Sequence, residues 1–148
     1  MIELMIVVTI IGILSAVAIP QYTDYTQKAK LNKIQALADP VRAAIGLYYG
    51  EKSFCPTIAT QNDATIAFGF SAPILSNPTS EVTLIAYSTG TLSTTCEVTF
   101  TTAKLGSEVP AAGTIKYSGD FLNNPVNWNT SVSATIVGRA GADIIKWK

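Results

Sequence analysis

Three side chains in this sequence have a type and a setting that invite chemistry: Glu3, Cys55 and Cys96. Glu3 is the single charge in residues 1–19, a run otherwise no more polar than a hydroxyl. An ionised carboxylate in low-dielectric surroundings is costly unless it is paired. No Lys or Arg occurs before Lys28, so a pairing cation has to come from another chain, and the group every neighbour carries is an N-terminal ammonium. Two readings of Glu3 follow: an assembly residue that meets that ammonium, or a carboxylate resting among lipid headgroups. The cysteines form a lone, well-separated pair in a Thr/Ser-rich region. That suits a disulfide made outside the cytoplasm, with two buried thiols as the alternative. Joining them closes a loop of about 40 residues, worth about 3–4 kcal/mol in the chain-entropy picture.

Catalysis has little to work with. The chain has no His, which removes the commonest general base and the commonest zinc ligand. Its carboxylates are scattered, and it has no glycine-rich phosphate loop, nucleophile elbow or metal-ligand spacing. No enzymatic activity, metal or cofactor is expected. The 10 basic and 10 acidic side chains cancel, and no basic patch interleaved with aromatics marks a nucleic-acid site.

The elements that must position these residues begin with the apolar run. As a helix rising about 1.5 Å per residue, residues 1–19 cover about 28 Å, close to the hydrocarbon thickness of a bilayer. The run is apolar on every face, unlike a surface helix of a soluble domain. A removed signal peptide would need a basic start and a small-residue cleavage site, and the sequence has neither. Gly12 and Pro20 bracket the second half of the run. Pro20 removes one backbone bond and Gly12 weakens the helix by about 1 kcal/mol relative to Ala, so residues 12–19 are the part most able to bend or unwind. A mild kink is the plainer reading.

Tyr22 and Tyr25 follow on one face, where interfacial aromatics sit. Then Leu31, Ile34, Ala38, Val41, Ile45 and Tyr48 recur at spacings of three and four, an amphipathic stripe that keeps phase across Pro40. The stripe predicts one helix of about 50 residues that ends at Gly50, with a kink and not a stop at Pro40. Residues 51–81 read as irregular. Strand-like segments are expected at 82–87, 94–101, 113–117, 132–137 and 143–147, with turns at 123–125 and 138–141. The fold class is α+β, a long N-terminal α-helix packed on an antiparallel β-sheet head. The expected division is 1–26 for the membrane and filament-core half of the helix and 27–50 for its amphipathic half. Residues 51–148 form the head, with a connecting loop over 51–81 and the sheet and C-terminal loop over 82–148.

The stretches Ile2-Glu3-Leu4-Met5-Ile6-Val7-Val8, Ile10-Ile11-Gly12-Ile13-Leu14 and Ala18-Ile19-Pro20-Gln21-Tyr22, with Asp24-Tyr25, resemble the N-terminal signature of type IV pilins. The match is close over about the first 27 residues; beyond them only the architecture agrees. The resemblance implies a subunit held in the inner membrane and then extracted by the pilus assembly machinery. It is stacked with copies of itself into an extracellular helical homopolymer whose core is the N-terminal helices. It further implies that the carboxylate of Glu3 pairs with a neighbour's N-terminal amine, and that residues 12–20 lose helix in the filament.

Two departures accompany the resemblance. Mature chains of the family begin with Phe, usually followed by Thr and Leu, after a leader ending in Gly. Met1 occupies the place of that Leu, so an internal or trimmed start is expected, and the residue that carries Glu3's ammonium partner stays open. Many of these pilins also place their cysteines near the C-terminus, whereas nothing after Cys96 is a cysteine here. Packing by Trp128 and Trp147 is expected to hold the C-terminal region instead. Lys28, Lys30 and Lys33 would place the head in the cytoplasm by the positive-inside rule, against the disulfide reading. The disulfide carries more weight, because a leader's basic residues lie outside the count. A minor pilin, a type II secretion pseudopilin and a membrane-anchored binding module that never polymerises are the alternatives. A dense acidic loop, the mark of a calcium-binding pseudopilin head, is missing.

Overall fold

The computed structural model describes residues 1–69, 81–90, 94–122 and 125–147. Helix α1 spans Ile2–Lys52 without interruption and includes both Pro20 and Pro40. It stops where Ser53 adopts a left-handed conformation (φ 60°) and its N–H bonds Tyr49 O at 2.8 Å, two residues beyond the expected end at Gly50. Lys52 in the last turn complements the negative end of the helix dipole.

The helix changes character along its length. Residues 1–25 are exposed except for the half-buried Ser15, and burial begins at Gln27. From there Leu31, Ile34, Ala38, Val41, Ala44 and Ile45 enter the core. The predicted stripe fails at its last member: Tyr48 is half-buried and meets Phe54 edge-on, while Tyr49 packs on the core and stacks on Phe121 at 4.4 Å. A repeat of 3.5 residues drifts by about 20° per heptad on a straight helix. Over the 17 residues from Leu31 to Tyr48, about two and a half heptads, the drift makes the neighbouring position the nearer to the sheet.

Strands β1 (Val82–Thr89), β2 (Thr95–Thr102), β3 (Thr114–Asp120) and β4 (Asn127–Val132) form an antiparallel sheet in sequence order, a pilin-like α+β fold with α1. Strict alternation on β2 and β3 sends Cys96, Val98, Phe100, Thr102, Ile115 and Tyr117 inward. The rings of Phe100 and Tyr117 meet edge-on at 5.7 Å. Alternation also puts position 119 on the inner face, and glycine suits it because a Cβ there would sit 3.0 Å from the Trp128 ring on the neighbouring strand. Phe100 is completely buried at the centre of this layer. Phe100→Ala is expected to cost about 3–5 kcal/mol, read as a lowered midpoint in urea with an unchanged slope.

Several local expectations differ from what the chain does. Strand β4 lies at Asn127–Val132, not at 132–137. Ser133 ends it: its hydroxyl accepts from Thr114 N, and Ile136 N turns back onto Ser133 O. The β-branched Thr135, Ile136 and Val137 therefore lie outside the ladder despite their strand propensity. Residues 138–145, expected as a turn and then a strand, form helix α3 (Gly138–Ile145). Ala140, Gly141 and Ile144 are its buried face, and Gly141 passes so close to Ile136 O that a Cβ would sit 3.0 Å from it.

Within the segment read as irregular, α2 spans Gln61–Phe68. Thr60 and Asp63 form a reciprocal capping box, with Asp63 N bonding Thr60 Oγ1 and Thr60 N bonding Asp63 Oδ2. Ala64 is buried beneath this helix beside Ile58. The hydroxyl of Thr60, then the N–H groups of Thr60 and Ala59, hold the Asp63 carboxyl below its ordinary value of 3.8. A lowered folded-state value means the cap stabilises the fold above pH 3.8 and loses that contribution as pH falls through the lower value. Amide exchange in the first turn of α2 is therefore expected to speed up below that pH, and Asp63→Asn to abolish the pH dependence. The expected irregular run over 70–80 and most of the turn at 123–125 lie outside the described residues.

Candidate assembly surface

Glu3 sits in the first turn of α1, where the helix dipole favours a carboxylate. Among the described residues no basic side chain comes within ion-pair distance of it. Around it the large apolar side chains from Ile2 to Ile19 are each 52% to 74% exposed. Leaving that surface in water forfeits on the order of 15 kcal/mol, as much as a whole domain's folding stability. The hydroxyl of Thr9 is satisfied inside the helix by Met5 O at 2.7 Å, so it adds no unpaired donor to the apolar surface. Gly12 and Pro20 lie within continuous helix in this single chain, and no atom of the rest of the chain lies within 4 Å of a Cβ built at Gly12.

The head grips the other half of α1 in three places. At the top, Cys55 and Cys96 are joined in a disulfide, and both residues are buried. Cys55 follows the left-handed stop at Ser53 by two residues, while Cys96 faces inward near the start of β2, so the bond ties the end of α1 to the inner face of the sheet. Midway, the mostly buried Arg42 lies over the rings of Tyr117 (5.2 Å) and Trp128 (5.8 Å) and pairs with Asp39 one turn back. Desolvated contacts of a guanidinium with ring faces are worth about 2 kcal/mol. Burial pushes the Tyr117 phenol up, and the nearby Arg42 charge partly offsets this.

At the bottom, α3 and the loop before β3 close on α1. Lys28 Nζ reaches Asp143 at 3.2 Å, and Arg139 approaches Asp24 at 3.8 Å. Gly106 lies so close to Gln27 that a Cβ would sit 1.9 Å from its side-chain nitrogen. Glu108 holds the start of α3 twice, through its carboxylate to Ala140 N (2.8 Å) and its carbonyl to Val137 N (3.1 Å). This grip was hidden in the sequence, because α3 takes its cap from a residue outside its own segment. Trp128 and Trp147 are both half-buried against the core, and Thr130 Oγ1 donates to Trp147 O at 2.6 Å.

The chain thus joins a helix that is apolar all round in its first half to a disulfide-bonded antiparallel head that packs on its second half. A fimbrial protein of Eikenella corrodens is 43% identical over 56 residues, 38% of this chain and 37% of its own. A type IV major pilin protein of Neisseria gonorrhoeae is 49% identical over 49 residues, 33% of this chain and 30% of its own. The chain is similar to type IV pilins. A fimbrial protein of Pseudomonas aeruginosa extends the likeness to 75 residues at 39% identity, 51% of this chain and 49% of that relative. The similar stretches thus span between about a third and a half of these pilins and fimbrial proteins. No family model matches the chain.

Proposed function

We propose that this chain is a structural subunit that polymerises with copies of itself into a type IV pilus. The observation that carries the reading is the uncovered apolar surface of residues 1–19, continuous with a helix whose other half is committed to the head. Such a surface needs lipid or other copies of itself around it. The same helix therefore serves as an anchor in the inner membrane before assembly and as part of a bundle in the extracellular filament. The pilus assembly machinery moves it from one setting to the other.

In this reading Glu3 pairs with a neighbour's N-terminal amine and sets register, while Gly12 and Pro20 bracket the residues that unwind as the helices pack. The disulfide keeps the head intact outside the cell, and the chain acts by assembly and not by catalysis. Fibres sheared from cells that make this protein test the reading. This chain is expected as their bulk subunit by mass spectrometry and electron microscopy. Its presence only in trace amounts would make it a minor component, and its absence from the fibres would overturn polymerisation.

A further inference from the structure

The underside of the head lies at a height that the helix itself measures out. If residues 1–19 fill the hydrocarbon, a rise of about 1.5 Å per residue places Asp24 about 7 Å beyond Ile19. The headgroup layer on each side of a bilayer is about 5–8 Å thick. Arg139 lies against Asp24, and Asp143 lies against Lys28, one turn of α1 further up. Helix α3 therefore runs roughly alongside α1, with its first turn lowest and level with the outer edge of the headgroups.

That first turn has the chemistry of a headgroup contact. Arg139 is 82% exposed, and its only ion-pair neighbour among the described residues is the loose 3.8 Å approach to Asp24. Val137, just before α3, is 53% exposed although it is apolar. Tyr22 and Tyr25 stand exposed on α1 at the same level. The N-terminal amides of α3 are not what an anion would meet, since Glu108 already accepts from Ala140 N. The guanidinium, more exposed than the Asp24 carboxylate it loosely faces, is the cation open to an anion from below, with an apolar side chain beside it to enter the interface.

We propose that the start of α3, through Arg139 and Val137, docks the head onto the anionic phospholipid surface of the membrane in which α1 is anchored. The inference rests on the membrane reading of α1 given above, and it concerns the unassembled subunit. The surface is continuous with the membrane-spanning segment, so lipid is the occupant that its position selects. Docking fixes the tilt of the head over the bilayer and stores the subunit in one orientation. Extraction then has to break the Arg139 contact as well as withdraw the helix.

The test uses the full chain in nanodiscs of phosphatidylcholine, alone or mixed with phosphatidylglycerol, doped with a lipid that carries a paramagnetic headgroup. The readout is broadening of the methyl signals of Val137, with buried Val98 as the internal reference. Broadening at Val137 is expected to rise about fivefold with the anionic lipid, the factor one basic side chain supplies at such a surface. Arg139→Glu should return it to the phosphatidylcholine level, and Arg139→Lys should retain it. An unchanged Val98 signal in these variants shows that the head is still folded. Equal broadening in both lipids that Arg139→Glu leaves unchanged would overturn the anionic contact. Broadening at Val137 no greater than at Val98, with the α1 methyls broadened, would overturn docking alone. Unbroadened α1 methyls would overturn the membrane reading and the docking with it.

Discussion

Replacing Glu3 by alanine is expected to abolish surface filaments while leaving normal amounts of the chain in the membrane. Glu3 is the only charged side chain in residues 1–19, and among the described residues no basic side chain pairs with it. In a lipid anchor the carboxylate lies close to the end of the helix and its removal costs nothing. In a bundle of helices it is the one group able to neutralise a neighbour's amine. Removing one partner of a buried ion pair costs about 3–5 kcal/mol, which is more than a hundredfold in affinity at each subunit contact. The penalty recurs at every subunit, so growth fails cooperatively. Glu3→Gln separates charge from size and is expected to fail as well. Immunoblots of membrane and sheared fractions report both outcomes, and wild-type amounts of this chain in the sheared fraction of either variant would contradict the pairing role of Glu3.

Replacing both cysteines by serine is expected to lower stability by about 3–4 kcal/mol, set by the loop the bond closes. The sequence separation of 41 residues is long enough for a large effect. The location adds to it, because the bond fastens the end of α1 to an inner position of the sheet and encloses α2 and β1 between its ends. Urea unfolding of the soluble head with and without reductant measures the difference. Equal midpoints for the oxidised head and the double variant would show that packing alone holds α1 in place. In cells the same variant is expected to assemble fewer filaments, because a less stable head spends more time open to proteases before extraction.

The long helix was the most legible part of the fold, since two periodicities in one segment marked an all-round apolar half and a one-sided half. The amphipathic pattern also placed Leu31, Ile34, Ala38, Val41 and Ile45 inside, where the structure has them. It missed Tyr49 because a 3.5-residue repeat drifts on a 3.6-residue helix. Alternation on β2 was readable for the same reason that made β4 obscure. The inward side of β2 is plainly apolar, while β4 alternates Trp128, Thr130 and Val132 with polar residues and continues into a β-branched run that forms no strand. Helix α3 was illegible because Gly138 and Gly141 read as a turn, and its cap comes from Glu108, which is distant in sequence. Helix α2 had a signal that went unread, the Thr60-x-x-Asp63 capping box. Of the candidate site, Glu3 stood out from its surroundings alone. The grip of α3 on Asp24 and Lys28 needed three-dimensional proximity.

In the proposed function, residues 1–19 leave lipid to become the core of a filament made of this chain. A cryo-electron microscopy map of fibres assembled from it tests that most directly. The expected map has the N-terminal helices bundled on the axis and the Glu3 carboxylate within ion-pair reach of a neighbouring amine. It also has helix lost somewhere between Gly12 and Pro20. A map in which Glu3 faces solvent, or in which helix runs unbroken from Gly12 through Pro20, would contradict the account.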